Sequence, residues 1–275
     1  MDMQAVVDVA RTAGSKILKV YACDDFGTRL KSDDSPLTEA DLAAHHQIVE
    51  GLTQLDSSIP VLSEEGAGIS WEERRQWARY WLVDPLDGTK EFIKRNGEFT
   101  VNIALVEDHQ PVLGVVYAPV LNVTYYGDDR GAFKLEGSAI EDAVAIKVKT
   151  HQPGEIWKVV GSRSHAGDSL VLFLEALGEY QMVSMGSSLK LCLVAEGAAH
   201  IYPRLGLTSE WDTAAAHAVV TAAGGEIVIA DSDEPLQYNT KESLLNPFFI
   251  VRSASFAAYR TKDPGKFRGH NSGGG

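Results

Sequence analysis

One short stretch, Trp81–Phe92, constrains the fold more than any other part of the sequence. It begins within a run of aromatic and apolar residues, Tyr80–Val83, which predicts a buried strand. Two carboxylates come next, Asp84 and Asp87, separated by a Pro-Leu pair. Proline restricts the backbone and the following Gly88 relaxes it, so we expect a sharp turn that leads into a helical segment.

The chemistry of this stretch indicates a site for a metal and a phosphate. Asp84 and Asp87 are held close together, and paired carboxylates suit Mg²⁺, which takes oxygen ligands and shares its shell with substrate phosphates. The amides of Gly88 and Thr89 would face a phosphate at the start of the helical segment. The hydroxyl of Thr89 would orient a water molecule. We therefore interpret the stretch as a metal-assisted phosphatase site.

Composition excludes several other classes of function. The chain has 275 residues, 44% hydrophobic and 23% charged, which is typical of an ordinary soluble globular protein with a sizeable core. It has 38 acidic and 25 basic residues, a net charge of −13. Proteins that bind nucleic acid polymers or membrane surfaces usually present a basic face, so we expect neither role. A small phosphorylated substrate stays compatible, because bound Mg²⁺ inverts the local field.

Cysteine content and hydropathy predict the compartment. Cys23 and Cys192 are too few for a disulfide framework and lack metal-ligand spacing. The N-terminus, Met1–Gln4, has no basic region typical of a signal peptide, and no apolar run is long enough to predict a transmembrane segment. We expect a cytoplasmic protein, and leave open a peripheral association with the inner membrane.

The order of predicted elements indicates two halves. The first half contains two amphipathic helices, near residues 3–21 and from Thr38 onward, and then closely spaced strands of the kind that pair antiparallel. The second half alternates strands and helices. We predict an N-terminal subdomain over residues 1–153, an α/β subdomain over 154–262 and a disordered tail over 263–275.

The second helix begins with a capping-box pattern, Thr38–Asp41, with the acid at the third helical position. We expect its buried stripe to be formed by Leu42, His45, Val49 and Leu52.

Four acidic residues stand where predicted strands end or helices begin: Glu64, Asp84, Asp87 and Asp212. Each has an ordinary structural explanation when taken alone. Glu64 suits a solvated loop, Asp84 a strand-end cap, and Asp212 the first turn of a helix, where the macrodipole favours an acid. Their shared position at strand and helix ends favours ligand binding, because such residues collect there in α/β folds.

Three motifs in the same order resemble the inositol monophosphatase superfamily, whose members are Mg²⁺-dependent, lithium-sensitive phosphatases. They are Ser63–Glu65, Asp84–Thr89 and Trp211–Ala215. The sequences of four further segments are similar to the corresponding segments of the bisphosphate nucleotidases of that superfamily: Pro60–Glu65, Trp81–Thr100, Gly186–Lys190 and Leu193–Gly197. The resemblance extends from the first helix to about Val251 and omits the tail.

The resemblance implies a fold and a set of metal ligands. The fold would be α/β (α+β), a layered α-β-α-β-α sandwich with the site between its halves. Two or three Mg²⁺ ions would be held there, and two adjacent ions can clamp the attacking and leaving oxygens of a displacement. The implied metal ligands are the carboxylates of Glu64, Asp84, Asp87 and Asp212 and the carbonyl of Leu86.

The resemblance also implies how the reaction is catalysed. Glu64 and Thr89 would position the attacking water, and Asp41 would support Thr89. Because Asp41 also fits the capping box, both roles are compatible. The amides of Gly88 and Thr89 would receive the phosphate, with Glu64, Leu86, Asp87 and Asp212 around it.

The implied substrate is adenosine 3',5'-bisphosphate, hydrolysed to AMP and phosphate in sulfur metabolism. A second phosphate needs further hydroxyl and cationic groups, and His165, Ser188 and Lys190 are our candidates, each of which could equally be a surface-loop residue. Arg204 has a weaker claim, because a lone arginine is more often a surface charge. His45, His46 and His217 lie on helical faces and are expected to pack or face solvent.

The oligomeric state is expected to be a monomer or a homodimer.

Two alternatives for the function stay open. One alternative is another superfamily activity, on inositol phosphates or a sugar bisphosphate; Lys90–Phe92, where inositol phosphatases more often have Thr-Asn-Phe, argues against inositol phosphates. The other is a non-catalytic, metal-dependent nucleotide-binding module. One residue departs from the related nucleotidases: Ala216 stands where they often have glycine, and we expect a small effect.

Overall fold

Two β-sheets, one of seven strands and one of five, are stacked between layers of helices in the computed structural model of the protein. The structure describes residues 1–23, 27, 29–30, 36–66, 68–161 and 168–253. The α-helices are α1 (Met3–Tyr21), α2 (Glu39–Leu55), α3 (Trp71–Arg74), α4 (Thr89–Ile93), α5 (Asp168–Leu177), α6 (Leu189–Ala195) and α7 (Ala214–Ala222). Short 3₁₀ helices cover Ile140–Asp142 and Glu210–Asp212.

Most of the strands belong to the first half of the chain. They are β1 (Arg29–Leu30), β2 (Pro36–Leu37), β3 (Val61–Ser63), β4 (Arg79–Asp87), β5 (Thr100–Glu107), β6 (Gln110–Ala118), β7 (Val123–Asp128), β8 (Gly131–Glu136) and β9 (Val144–Ile146). The second half contributes β10 (Trp157–Gly161), β11 (Tyr180–Ser184), β12 (Ile201–Arg204), β13 (Gly225–Ile229) and β14 (Phe249–Ser253).

The seven-stranded sheet runs in sequence order from β3 to β9. Every neighbouring pair is antiparallel except β3 and β4, which are parallel. The five-stranded sheet has the order β11-β10-β12-β14-β13 and mixes parallel and antiparallel pairs. The prediction of an antiparallel block followed by alternating strands and helices is therefore confirmed, whereas the subdomain boundary at 153/154 stays a prediction.

Strand β4 is buried on both faces, and its alternating side chains enter different cores. Trp81 and Val83 pack in the core that α1 and α2 cover, while Tyr80 and Leu82 pack in the core between the two sheets. A third core, under α5, lies on the far face of the five-stranded sheet. The layers are thus α1/α2, first sheet, α6/α7, second sheet and α5, which confirms the α-β-α-β-α sandwich.

Helix α7 lies directly against the first sheet because two paired glycines make room for it. Gly114 of β6 and Gly127 of β7 are opposite each other. A Cβ atom on Gly114 would lie 2.1 Å from the carbonyl oxygen of Ala215, and one on Gly127 would lie 2.9 Å from the Cα of Val219. Both contacts are with backbone, which cannot move aside like a flexible side chain. The small residues of α7 therefore fit against the two glycines of the sheet, where no side chain lies between helix and strand.

Helix α2 begins as predicted, but it is rotated relative to the expected stripe. Both bonds of the capping box between Thr38 and Asp41 are present. The buried positions, however, are Ala40, Asp41, Ala44, Ile48 and Leu52. Leu52 was therefore predicted correctly, whereas Leu42, His45 and Val49 are not buried. The prediction passed over the small alanines, which lie on the buried face.

The backbone after Val83 also differs from the sequence prediction. The expected sharp turn after Val83 is a bulge inside β4, where the pairing register shifts between Asp84 and Asp87. The predicted disordered tail lies outside the described residues.

A buried network of hydrogen bonds fixes the start of α7. Nδ1 of His217 lies 3.0 Å from the hydroxyl of Tyr238, which donates to Oγ1 of Thr213 at 3.2 Å. Nδ2 of Asn246 also donates to that oxygen, at 3.1 Å. Because the Tyr238 proton is directed at Thr213, the network assigns the imidazole proton to Nδ1 of His217. Thr213 follows Asp212 in the chain, so the network anchors that carboxylate.

We expect Gly114→Ala to lower the free energy of unfolding by about 2 kcal/mol or more, since the added methyl group overpacks a rigid backbone contact. Chemical denaturation measures the change. Gly206→Ala is the matched control, because a Cβ atom there meets only Cζ of Arg204, at the ordinary distance of 3.8 Å. Equal stability of the two variants would contradict the close-packing argument.

His217 gives the protein a specific sensitivity to acid. Burial lowers the pKa of its imidazole from 6.5 to about 3. Between these pH values the unfolded chain binds a proton that the folded chain does not, so stability falls as pH falls. In urea titrations from pH 7 to pH 4, we expect His217→Gln to lose less stability than the unmodified chain. Parallel losses in the two proteins would contradict this assignment.

Candidate metal and phosphate site

Three carboxylates from separate parts of the chain meet at one end of the central strand. Oxygen atoms of Glu64, Asp84 and Asp212 all lie within 4.8 Å of one another. Glu64 follows β3, Asp84 is inside β4, and Asp212 ends the 3₁₀ helix before α7. The structure thus brings together three of the four acids singled out in the sequence.

Parallel pairing of β3 with β4 explains why Glu64 and Asp84 are neighbours. Ser63 is opposite Val83, and the amide of Glu64 donates to the carbonyl of Val83 at 3.1 Å. The residues that follow each of these positions therefore emerge side by side at the same edge. Asp212 is held from the other side, where the amide of Ser209 donates to its Oδ2 at 2.9 Å.

The bulge in β4 gives Asp84 and Asp87 different partners. The amide of Leu86 donates to Oδ1 of Asp84 at 3.0 Å, which closes a tight local loop. Oδ2 of Asp87 accepts from the amide of Ser188 at 2.5 Å. Asp87 therefore links the central strand to the start of α6, at the border of the acidic cluster formed by Glu64, Asp84 and Asp212.

The electrostatics of this cluster favour a bound cation. Burial raises the pKa of Asp84 well above its usual range, and the charges of Glu64, Asp87 and Asp212 raise it further. Desolvation, with Asp87 and Glu64 adding to it, raises the pKa of Asp212 to about 8. The pKa of Asp87 rises to about 6, mainly by desolvation, against the opposing charge of Lys190. Carboxylates in such a group repel one another unless protons or a cation neutralise them.

The donor set fits a hard divalent ion. Closely placed carboxylate oxygens, with the carbonyl of Leu86 in the same loop, are the ligand types that Mg²⁺ takes in proteins. Among the described residues, this is the group of acids, histidines and cysteines with the mutual spacing a metal ion needs.

Asp41 and Thr89 are joined as the sequence comparison implied. Oδ1 of Asp41 accepts from the hydroxyl of Thr89 at 3.2 Å, while its Oδ2 accepts from the amide of Thr38 at 2.8 Å. One carboxylate therefore serves both as the capping-box acid of α2 and as a support for Thr89. Gly88, immediately before α4, has a φ of +95°, a conformation that side-chain-bearing residues rarely adopt.

Ser188 belongs to a buried polar network that the sequence did not indicate. Its hydroxyl donates to Oδ1 of Asn102 at 2.8 Å and lies 2.8 Å from Oγ1 of Thr100. Both partners are on β5, opposite Asp84 and Asp87 on β4. Their role depends on strand register, so only a correct pairing of β4 with β5 could have identified them.

A cavity of about 390 Å³ adjoins the acidic cluster. Asp87, Gly88, Ser188, Lys190 and Asp212 line it, and so does Arg204, which the sequence suggested was a surface charge. A larger cavity of about 550 Å³ lies between β7, β8 and α6, and none of the candidate acids lines it. His165 lies outside the described residues.

His45 and His46 agree with the expectation that they pack or face solvent. Nδ1 of His45 lies 2.9 Å from the hydroxyl of Ser63, and His46 is exposed.

Ala216 is fully buried, but the close contacts of α7 with the glycines of the sheet involve neighbouring positions such as Ala215 and Ala218. The alanine therefore does not stand at the crowded face of the helix.

Comparison with known proteins identifies the family. A sequence model of the inositol monophosphatase family matches residues 2–258. The chain is 54% identical to the 3'(2'),5'-bisphosphate nucleotidase CysQ of Salmonella typhimurium and 52% identical to that of Escherichia coli K12; each alignment covers 90% of this chain and 98% of the relative. The chain therefore belongs to the inositol monophosphatase family, a family of metal-dependent phosphatases.

Solved structures agree with this assignment. CysQ from Bacteroides thetaiotaomicron superposes with a TM-score of 0.81 at 46% identity, covering 90% of this chain and 96% of that one. An inositol monophosphatase from Anabaena superposes with a TM-score of 0.72 at 21% identity, covering 94% of this chain and 93% of that one, a likeness of fold alone. Within the described parts of the chain, no helix has the length and apolar character required to cross a bilayer.

We expect Asp84→Asn to have opposite effects with and without metal. In EDTA at pH 8 the variant should unfold at a higher temperature than the unmodified chain, because it removes a buried, repelled carboxylate while the side-chain oxygen can still accept from Leu86. Added Mg²⁺ should stabilise the unmodified chain by several degrees and the variant hardly at all. Thermal scans measure both effects.

Asp231→Asn, a substitution at an exposed position, is the matched control and should leave both responses unchanged. Equal stabilisation of Asp84→Asn by Mg²⁺ would contradict the assignment of this carboxylate as a ligand.

Proposed function

We propose that the protein is a Mg²⁺-dependent phosphatase that hydrolyses adenosine 3',5'-bisphosphate to AMP and inorganic phosphate. The observation that carries this proposal is the acidic cluster, whose carboxylate oxygens lie within 4.8 Å of one another beside a cavity with basic walls. The relatives at 52–54% identity bear the name of 3'(2'),5'-bisphosphate nucleotidases, which supports the nucleotide as substrate.

The metal ligands we propose are Glu64, Asp84, Asp87 and Asp212, together with the carbonyl of Leu86. Two or three Mg²⁺ ions bound there would neutralise phosphate oxygens and make a nearby water more acidic. The raised pKa values of Asp84 and Asp212 support this role, because a divalent ion replaces the protons that these groups otherwise retain.

The water is positioned by Glu64 and Thr89. The hydroxyl of Thr89 has two acceptors for its proton, Oδ1 of Asp41 at 3.2 Å and the carbonyl oxygen of Leu86 at 3.4 Å. With the proton directed to either of them, the hydroxyl oxygen is left as an acceptor and can orient a water molecule. Glu64, which is partly exposed, supplies a second acceptor. With both acceptors fixed, the lone pair of the water oxygen is aimed at phosphorus.

The phosphate is received at the turn between β4 and α4. Gly88 has a left-handed backbone conformation and no side chain, and no side-chain cap bonds to the first amides of α4. In the reaction, water adds to phosphorus as the ester bond breaks, and the products are the nucleoside hydroxyl and phosphate. Ser188, Lys190 and His165 are proposed to contact the nucleotide.

Inositol phosphates and sugar bisphosphates are the alternative substrates, and the same metal site would serve them. The basic wall of the cavity, with Lys190 and Arg204, favours a substrate with more than one phosphate. A non-catalytic nucleotide-binding module is a third hypothesis, against which the Thr89–Asp41 pair argues, since binding alone does not require an oriented hydroxyl. The cytoplasmic location and a monomeric or dimeric state stay predictions.

A direct assay separates these hypotheses. With Mg²⁺, we expect phosphate release from adenosine 3',5'-bisphosphate to exceed release from inositol 1-phosphate and fructose 1,6-bisphosphate by at least about tenfold in kcat/KM. Asp87→Asn should abolish release, and Asp231→Asn should not. Faster release from another substrate would retain the metal site and reject the nucleotide, whereas no release from any of them would favour the binding module.

Thr89 provides the sharper test of mechanism. Thr89→Val keeps the shape of the side chain and removes the hydroxyl, so kcat should fall about 10²- to 10⁴-fold with little change in KM. Thr89→Ser restores the hydroxyl and should recover most of the activity. If Thr89→Val kept its kcat, water orientation by this residue would be excluded.

A further inference from the structure

Arg74 is the last residue of the short helix α3, and its side chain is buried. Charged side chains are almost never fully buried unless they have partners. The guanidinium group finds its partners in the second half of the chain, where Nη1 donates to Oδ1 of Asn239 at 2.5 Å and to the carbonyl of Lys241 at 3.2 Å. Nη2 donates to the carbonyl of Glu242. Arg74 therefore joins α3 to the loop 239–246.

The same loop supports the segment that carries Asp212. The amide of Glu210 donates to the carbonyl of Leu244 at 2.8 Å, and Nδ2 of Asn246 donates to the carbonyl of Ser209 at 2.7 Å. Glu210 and Asp212 are the first and last residues of one 3₁₀ helix. Movement of the loop would therefore move this helix and the carboxylate at its end.

Asn239 connects Arg74 directly to the 3₁₀ helix. Its Nδ2 donates to the carbonyl of Arg74 at 2.6 Å, which complements the bond from Arg74 to its Oδ1. Its amide donates to Oε2 of the buried Glu210 at 2.8 Å. Asn239 also has a φ of +52°, a conformation that side-chain-bearing residues rarely adopt. Bonds on both sides hold this residue in place, and they form a continuous connection from α3 to Asp212.

This connection runs between two sides of the acidic cluster. Helix α3 follows Glu64 in the chain, and Asp212 lies at the far end of the connection. Carboxylate oxygens of Glu64 and Asp212 lie within 4.8 Å of each other, and charges of the same sign at that distance repel. Repulsion favours separation of the two segments before a metal ion binds. The hydrogen bonds of Arg74 oppose that separation.

We propose that Arg74 is a positioning residue for the metal site. Through Asn239 and the loop 239–246 it holds Asp212 at the distance from Glu64 that a shared metal site requires. A guanidinium group suits this task because it presents several donors in one plane and stays charged. The described residues that line the cavity beside the cluster do not include Arg74, which therefore acts through its partners. The inference rests on the proposed function, which supplies the metal ligands, but Mg²⁺ binding tests it without turnover.

Isothermal calorimetry with Mg²⁺ alone, at a temperature where every variant is folded, measures the effect. Arg74→Met keeps an aliphatic side chain and removes every donor, so the Kd for Mg²⁺ should rise about 10- to 100-fold. Arg74→Lys keeps the charge without the planar donors and should give a smaller rise. Asn239→Gly removes both side-chain bonds at a position whose backbone suits glycine, and it should also raise the Kd.

Arg252 provides the matched control, because it is similarly buried and is also bonded through its guanidinium group. Its Nε donates to Glu226 at 2.7 Å and its Nη1 to Asp233 at 3.1 Å, and the described lining of the cavity includes none of these three residues. We expect Arg252→Met to lower the free energy of unfolding in urea, as Arg74→Met does, and to leave the Kd for Mg²⁺ unchanged.

The phosphate-release assay gives a second measurement. Arg74→Met should need about tenfold more Mg²⁺ to reach half of its maximal rate. At saturating Mg²⁺, its kcat and its KM for adenosine 3',5'-bisphosphate should stay within about threefold of the unmodified chain. A loss of kcat that saturating Mg²⁺ does not restore would contradict a role confined to positioning the metal site.

Two results of the calorimetry would overturn the proposal. One is an unchanged Kd in Arg74→Met or, if that variant does not fold, in Arg74→Lys and Asn239→Gly. The other is an equal rise of the Kd in Arg74→Met and Arg252→Met, which would trace the effect to a general loss of stability. If the unmodified chain bound Mg²⁺ but released no phosphate, the proposed hydrolysis would be rejected, and the calorimetry would still decide the role of Arg74. Absence of Mg²⁺ binding in the unmodified chain would reject both.

Discussion

Parallel pairing of β3 with β4 places Glu64 and Asp84 side by side, and Asp212 approaches them from the start of α7. Burial raises the pKa of Asp84, and these carboxylates repel one another, which raises that pKa as well. Folding alone does not remove this repulsion. The surrounding structure holds the carboxylates in place, because the amide of Leu86 donates to Asp84 and the amide of Ser209 donates to Asp212. The stability of the layered core therefore maintains an acidic cluster that only protons or cations can relieve.

The two sheets and α7 supply the rigidity that this arrangement requires. Gly114 and Gly127 allow α7 to lie on the backbone of the first sheet. The hydrogen bonds that join His217, Tyr238 and Thr213 fix the first turn of α7. Asp212 precedes that turn, so its carboxylate has little freedom to move away from Asp84. The same core thus explains both the closeness of the acids and the narrow tolerance for side chains at the two glycines.

Sequence patterns could predict much of this molecule. Buried strands, the capping box of α2 and the three motifs that resemble the family led to the sandwich and to the acids that now lie together. They could not reveal the glycine pair, because Gly114 and Gly127 become neighbours only through strand register. Thr100 and Asn102 were missed for the same reason, since nothing in their local sequence indicates contact with Ser188. Arg204 had a weaker claim from the sequence because its place at the cavity depends on how β12 and α6 come together.

Substrate choice depends on charges that the overall composition conceals. A chain of net charge −13 repels anions at long range, yet the proposed substrate carries two phosphates. At contact distance the relevant charges are local: cations bound at the acidic cluster would act on the reacting phosphate, and Lys190 and Arg204 also line the cavity. In the proposed function the acids hold the metals, and those metals would act on any phosphate ester. Discrimination among esters would then come from cavity residues outside the acidic cluster, among which Ser188, Lys190 and Arg204 carry polar groups.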